Sequence, residues 1–324
     1  MALMYQVKRA SRGEFVAIRN LNYHVWTWGE PSPGLPPLVM VHGWMDVAAS
    51  YQFVVDALSD AFMRGRHIIA PDWRGYGLTT GAPVDNYWFP DYMADLDFLI
   101  DHYAGERPVD LVGHSMGGNV AMCYAGARPQ RIRRLVNLEG FSGPASRPDK
   151  APARYAAWMD ELKKFQRGEM ALTRYDSAAG VARRLSRTNP RLARDQTGQD
   201  KANWLATHWA RENDDGKWEI QGDAAHKIVN AQQTRVDELL ELYKCLSMPV
   251  LAVEASDSAL AAWWKGTFTL NDYHERLKLV PDCRIEVIQD AGHMLHHDQP
   301  EALARRLEAF LDARAASKGA ARPA

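Results

Sequence analysis

The sequence predicts an α/β protein built on a mostly parallel sheet with helices on both faces, and three observations lead there. Short apolar, branched segments alternate with helix-like segments as far as Gly140 and again near the end of the chain. One such strand runs into one such helix through a glycine-rich turn, Gly113-His114-Ser115-Met116-Gly117. From 142 to 247 the alternation stops and the pattern turns helical, which marks an insertion between two strands of one sheet rather than a separate carboxy-terminal domain.

Taken in order, 14–19 and 22–28 read as the strands of a hairpin, and the Pro-rich stretch 29–37 leads into a strand at 38–41. Further strands are expected at 67–70, 109–112 and 135–138, separated by helices at 48–63, 91–102 and 118–127. After the insertion come a strand at 249–253, a helix at 272–279, a strand at 284–288 and a final helix at 300–313. The chain thus divides into a first core part, 1–141, the inserted segment, 142–247, and a second core part, 248–313; residues 314–324 read as a frayed tail. There is no internal repeat.

Composition excludes several classes of function. Hydrophobic residues make up 46% and charged residues 24%, ordinary for a globular protein. Lys and Arg (39) nearly balance Asp and Glu (40), so no global field favours nucleic acid or an anionic membrane. Between 147 and 201, thirteen basic residues face seven acidic ones, an excess that a solvated helix face explains. The cysteines, Cys123, Cys245 and Cys283, lie far apart with no C-x-x-C pair, so reduced, mostly buried thiols are expected and a metal cluster is not. The amino terminus shows no apolar stretch with a cleavage site, which leads to an expected cytoplasmic location.

The turn at 113–117 matches G-x-S-x-G, in which a serine stands on a sharp strand-to-helix turn at the carboxyl end of a sheet. A serine hydroxyl is a weak nucleophile at neutral pH. It needs an imidazole to take its proton and a carboxylate to orient that imidazole. His293, in the Gly-His turn after the last strand, is the expected base. Asp257, four residues beyond Val253, is the expected acid, with Glu139 at the end of the 135–138 strand as its main rival and Glu254 next. Two backbone N–H groups are needed for an oxyanion, and Met116 and Trp44 are the expected donors. His42 and His114 flank backbone turns and read as structural. Asp72 and Arg74 read as an internal salt bridge bracing their turn. Trp263 and Trp264, with Trp44 and Met116, are candidates to line an apolar acyl pocket.

The segments "VMVHGWMD", "IIAPDWRGYG", "LVGHSMGGNVA", "PVLAVEASD" and "DAGHMLHHDQPEALA", in that order, resemble the α/β-hydrolase fold. The resemblance runs over nearly all of 14–313 outside the insertion. It implies an eight-stranded sheet with the second strand antiparallel, flanked by helices, and a helical cap over the site at 142–247 after the sixth strand. Glu254 stands where many members of the family have Gly. Members that open epoxides or carbon–halogen bonds carry Asp at the position of Ser115, and a serine there would leave a stable ether. The nearest resemblance is to capped, serine-hydrolase-like members.

The expected function is therefore hydrolysis of a small to medium, largely apolar carboxylic ester through an acyl-enzyme. No cofactor or metal is implied, and the expected partner is the small-molecule ester alone. One alternative is C–C bond cleavage of the meta-cleavage-product type, whose enzymes often carry Asn where this chain has His114. Another is a ligand-binding protein that keeps the fold with an idle site.

Overall fold

A computed structural model describes residues 5–232 and 235–313; the expected tail, 314–324, lies outside the described residues. The strands of the main sheet are β1 (Arg12–Ile18), β2 (Leu21–Trp28), β3 (Leu38–Val41), β4 (Ile68–Pro71), β5 (Val109–His114), β6 (Ile132–Leu138), β10 (Val250–Ala255) and β11 (Cys283–Ile288), with β7 to β9 in the inserted segment. Their order is β1-β2-β4-β3-β5-β6-β10-β11. Strand β2 is antiparallel to both its neighbours, and the pairs from β4 onward are parallel. The expected eight-stranded, mostly parallel sheet is thus present, with β3, β5 and β6 at its centre.

Alternate residues of a strand face opposite sides of the sheet. Val39 and Val41 of β3 join one core with α3 (Phe89–Ala104), α4 (Met116–Ala127) and α10 (Leu270–Leu277). Leu38 and Met40 join the other, with α1 (Gln52–Ala57), α2 (Asp60–Met63) and α12 (Pro300–Leu311), while the short α9 (Leu260–Trp263) and α11 (Leu295–Asp298) follow β10 and β11. The expected helix at 48–63 is broken. A 3-10 turn at Ala48–Tyr51 leads into α1, Leu58 takes an extended conformation, and Ser59 caps α2 by accepting a hydrogen bond from the Phe62 N–H at 3.2 Å. All three cysteines are free, but only Cys123 is buried, against the expectation for most of them.

The inserted segment is not purely helical. It holds α5 (Ala151–Gln166), α6 (Ala178–Thr188), α7 (Gln196–Trp209) and α8 (Val236–Lys244), with a small antiparallel sheet of β7 (Arg174–Tyr175), β9 (Trp218–Ile220) and β8 (Ala210–Glu212). A turn at Asn213–Gly216 in "NDDGKW" joins the last two. Helix α8 buries Leu239 and Tyr243 in the same core as Val120, Cys123 and Tyr124 of α4. It therefore belongs to the layer on the sheet although it lies within the expected cap. Trp204 and Leu205 of α7 pack with Val47, Ala49 and Phe53, which anchors the segment on the stretch that follows β3.

The "DWRGYG" turn does not use the expected internal pair. Asp72 instead bonds His24 Nδ1 at 2.8 Å and accepts the N–H groups of Ala48 and Leu78. Arg74 forks onto Asp95 at 2.6 and 2.8 Å. Gly75 and Gly77 are both at positive φ; Gly75 leaves room for Tyr87 and for His226 of the inserted segment, and Gly77 for the Asp72 carboxylate. The Gly77 N–H donates to Gln221 O, the Asp223 N–H donates to Gly75 O, and His226 is stacked between the rings of Tyr76 and Tyr87 at 4.0 and 3.7 Å.

Burial pushes the His226 imidazole down from its ordinary value to about 3. The unfolded chain therefore takes up a proton near pH 6.5 that the fold refuses, and stability falls as pH drops through the window from about 6.5 to about 3. For one such group the slope is roughly 1.4 kcal/mol per pH unit within that window. Denaturant unfolding of the wild type and His226→Gln at several pH values between 7 and 4 should show a shallower pH dependence in the variant. Equal slopes would mean that the ring is protonated in the fold.

Candidate active site

Strand β5 ends at His114 and α4 begins at Met116, so a single residue, Ser115, turns the chain. Its backbone sits at φ 52° and ψ −116°, a costly conformation for a side chain other than glycine that persists only where the surroundings enforce it. The Ser115 N–H donates to Leu138 O at 2.8 Å and its carbonyl accepts the Asn119 N–H at 3.0 Å. A Cβ on Gly113 would strike the Gly117 carbonyl, and one on Gly117 would strike the carbonyls of Val41 and His42. Backbone atoms cannot rotate aside, so both positions need glycine.

Ser115 Oγ lies 2.9 Å from His293 Nε2, and His293 Nδ1 lies 3.2 Å from Glu139 Oε2. A carboxylate only accepts, so Nδ1 carries the ring proton and Nε2 is free to accept from the serine hydroxyl. Glu139 follows β6 at φ 54°, and its side chain has no exposed surface. Its Oε1 accepts the Ala255 N–H at 2.8 Å and its Oε2 accepts the Ser258 hydroxyl at 3.1 Å. Three donors hold it in place.

Asp257, the acid expected from the sequence, is not brought to His293. Its side chain is 60% exposed and is held by the guanidinium of Arg191 from the inserted segment. Arg191 also donates to Asp290 O at 3.1 Å, so it ties the loops after β10 and β11 to the segment. Glu254, the third candidate, is bonded to His274 Nε2 at 2.7 Å, and burial pushes its carboxyl pKa up. Of the candidates, the structure brings Ser115, His293 and the rival Glu139 together and leaves Asp257 and Glu254 apart. Ser258 was not singled out in the sequence, where nothing distinguishes it from its neighbours.

The expected oxyanion donors come from two loops. Met116 is the first residue of α4, so its N–H has no carbonyl one turn back within the helix. Gly43 runs against the serine, since a Cβ there would meet Ser115 Cβ at 3.1 Å. The Gly43 carbonyl accepts from His42 Nδ1 at 2.8 Å, while His42 Nε2 accepts the Trp73 N–H at 2.9 Å. In a trans peptide the next N–H points opposite to the carbonyl. His42 therefore fixes the direction of the Trp44 N–H, and burial lowers the pKa of its ring, keeping it neutral for that bond. Trp209 of α7 adds a second brace by donating to Met45 O at 2.9 Å. Trp263 stands edge-on to His293 with ring centroids 4.5 Å apart, and Trp44, Trp263 and Trp264 are all exposed.

A hydroxyl, an imidazole and a buried carboxylate in line at the carboxyl edge of a mostly parallel sheet are the arrangement of the serine hydrolases. The wider sequence agrees, because the model of the alpha/beta hydrolase fold matches residues 36–300. The protein belongs to the α/β-hydrolase fold family and is a hydrolase. It is 27% identical over 289 residues to a serine hydrolase-like protein of Danio rerio, covering 88% of this chain and 83% of that one. It is 26% identical over 285 residues to the sn-1-specific diacylglycerol lipase ABHD11 of Danio rerio, covering 87% and 79%. The solved thioesterase domain from the curacin biosynthetic pathway shares the fold at a TM-score of 0.76 and 23% identity, covering 92% of this chain and 99% of that one. Among the described residues no helix is long and apolar enough to cross a membrane.

The close approach at the elbow yields one expectation. Gly117→Ala should lower the free energy of unfolding by about 1–3 kcal/mol, the usual cost of overpacking, because the added methyl meets backbone of the loop after β3. An unchanged denaturation midpoint would show that α4 and β3 are further apart than described.

Proposed function

We propose that the protein hydrolyses small to medium, largely apolar carboxylic esters through an acyl-enzyme on Ser115. The observation that carries this reading is the unbroken line from Ser115 Oγ to His293 at 2.9 Å and on to Glu139 at 3.2 Å. Ser115 Oγ attacks the ester carbonyl while His293 Nε2 takes its proton. Glu139 stabilises the imidazolium across Nδ1. The carbonyl oxygen becomes an oxyanion that accepts hydrogen bonds from the N–H groups of Trp44 and Met116. The tetrahedral intermediate collapses, the C–O bond to the alcohol breaks, and His293 returns the proton to the leaving alkoxide. Water then repeats the sequence on the acyl-enzyme, releasing the acid and restoring Ser115.

The apolar character of the substrate rests on the exposed indoles of Trp44, Trp263 and Trp264, of which Trp263 stands edge-on to His293. We assign the inserted segment the role of a cap, since Trp209 and Arg191 tie it to the loops that carry the site. The expected setting is the cytoplasm, with the ester as the sole partner.

A fluorophosphonate should label the wild type once and Ser115→Ala not at all, with a normal circular dichroism spectrum for the variant. Labelling that persists in Ser115→Ala would assign the reactive group elsewhere. With a series of p-nitrophenyl esters, Glu139→Gln should lower kcat by about 10⁴, the loss typical of an imidazole without its orienting carboxylate. Asp257→Asn should stay within a few-fold of the wild type. The opposite ranking would mean that Asp257 swings onto His293 during turnover.

A further inference from the structure

Beside the line of Ser115 and His293 lies a second group of titratable residues that the hydrolytic reading does not use, with the His114 ring 4.8 Å from that of His293. Asp46 comes from the loop after β3, His114 immediately precedes Ser115, and His296 lies three residues beyond His293. All three are buried. One donor atom from each lies within 4.8 Å of the other two, and His296 Nε2 is 3.7 Å from Asp46 Oδ2, too long for a hydrogen bond. We propose that Asp46, His114 and His296 form a site for one divalent transition-metal ion of the zinc class, held directly beneath the elbow.

The donor set has the chemistry of such a site. His114 Nε2 lies 2.8 Å from the carbonyl of His293 and must therefore donate to it. That fixes the ring as the tautomer whose Nδ1 carries the lone pair, and this Nδ1 has no hydrogen-bond partner among the described residues. Asp46 Oδ1 is taken by the Ser50 hydroxyl, while Oδ2 has no hydrogen-bond partner among the described residues. Both ring nitrogens of His296 are in the same state. His296 Nε2 and Asp46 Oδ2 thus face each other at 3.7 Å without a hydrogen bond, and a cation between them would be bound by both.

Two imidazoles and a carboxylate are the ligand types that zinc and its neighbours prefer. A tetrahedral shell with bonds of about 2.0–2.1 Å has edges of roughly 3.3 Å. The pair at 3.7 Å is already close to that, and the widest needs the side chains to move inward by about 1.5 Å at most. The second shell is also present, because a metal-bound histidine usually donates its other ring N–H to a carbonyl or carboxylate, as His114 does. An ion here would join the loop of Trp44, the elbow of Ser115 and the loop of His293 through a single centre. Its expected effect is to raise the stability of all three loops together. The three ligands are far apart in sequence, so no local spacing motif reveals them.

The test uses full-length protein carrying Cys245→Ser, which removes the exposed thiol as a competing ligand. After chelator treatment and dialysis, Zn²⁺ is titrated calorimetrically and Co²⁺ is followed by its visible d–d absorption. One ion per chain, a raised unfolding midpoint, and affinity lowered at least tenfold in both His296→Gln and His114→Asn are expected. His297→Gln should bind as the parent does. X-ray absorption of the Zn²⁺-loaded parent, which needs no variant to fold, should show two imidazoles in the shell. Absence of stoichiometric binding, binding unchanged in the two variants, or a shell with fewer than two imidazoles would overturn the site and leave these groups as a proton-sharing cluster.

Discussion

The conformation of one residue governs the rest of the site. Ser115 at φ 52° and ψ −116° costs free energy that only its surroundings can offset. They do so by packing backbone directly on backbone. Gly113 lets the first turn of α4 close on β5, and Gly117 lets it close on the carbonyls that end β3. That contact sets the Trp44 loop against the serine, and the next strand on the other side, β6, delivers Glu139. The residues gather at this edge because the sheet order places β3, β5 and β6 side by side.

Around the elbow, each moving part is held by a group that has no chemical step of its own. His42 orients the Gly43 peptide, Ala255 and Ser258 hold Glu139, and Trp209 reaches from the inserted segment to Met45. Donors fixed before the reaction need no reorganisation when charge develops, and that is where most of the stabilisation in such sites arises. The inserted segment is thereby more than a cover. It fastens the loop after β3 through Trp209, the loops after β10 and β11 through Arg191, and the turn after β4 through His226.

Much of this was legible in the sequence, and what was missed has physical causes. The strands read correctly because each is a short apolar run whose alternate residues serve two cores, and the elbow read correctly because only glycine fits at 113 and 117. The acid did not. Counting from the strand ends favours Asp257 over its rival Glu139, whereas the outcome rests on long-range partners. Arg191, sixty-six residues before Asp257, draws that carboxylate outward, while the Ala255 N–H and Ser258 hydroxyl draw Glu139 inward. The Asp72–Arg74 pair failed for a similar reason: His24 and Asp95, both remote in sequence, are the actual partners. Helix 48–63 was over-extended because its apolar spacing continues through Leu58, where the backbone turns extended and Ser59 starts a new cap. The small sheet in the inserted segment has strands of only two or three residues, too short for a period to show.

The central claim is that the elbow, the imidazole and Glu139 act as one preformed unit. A crystal structure of the protein phosphonylated by a small fluorophosphonate tests it most directly. The account requires phosphorus bonded to Ser115 Oγ, its free oxygen about 2.7–3.1 Å from the N–H groups of both Trp44 and Met116, and His293 Nδ1 still on Glu139. Phosphorus on another residue, an oxygen that meets neither N–H, or a His293 ring turned onto Asp257 would contradict it.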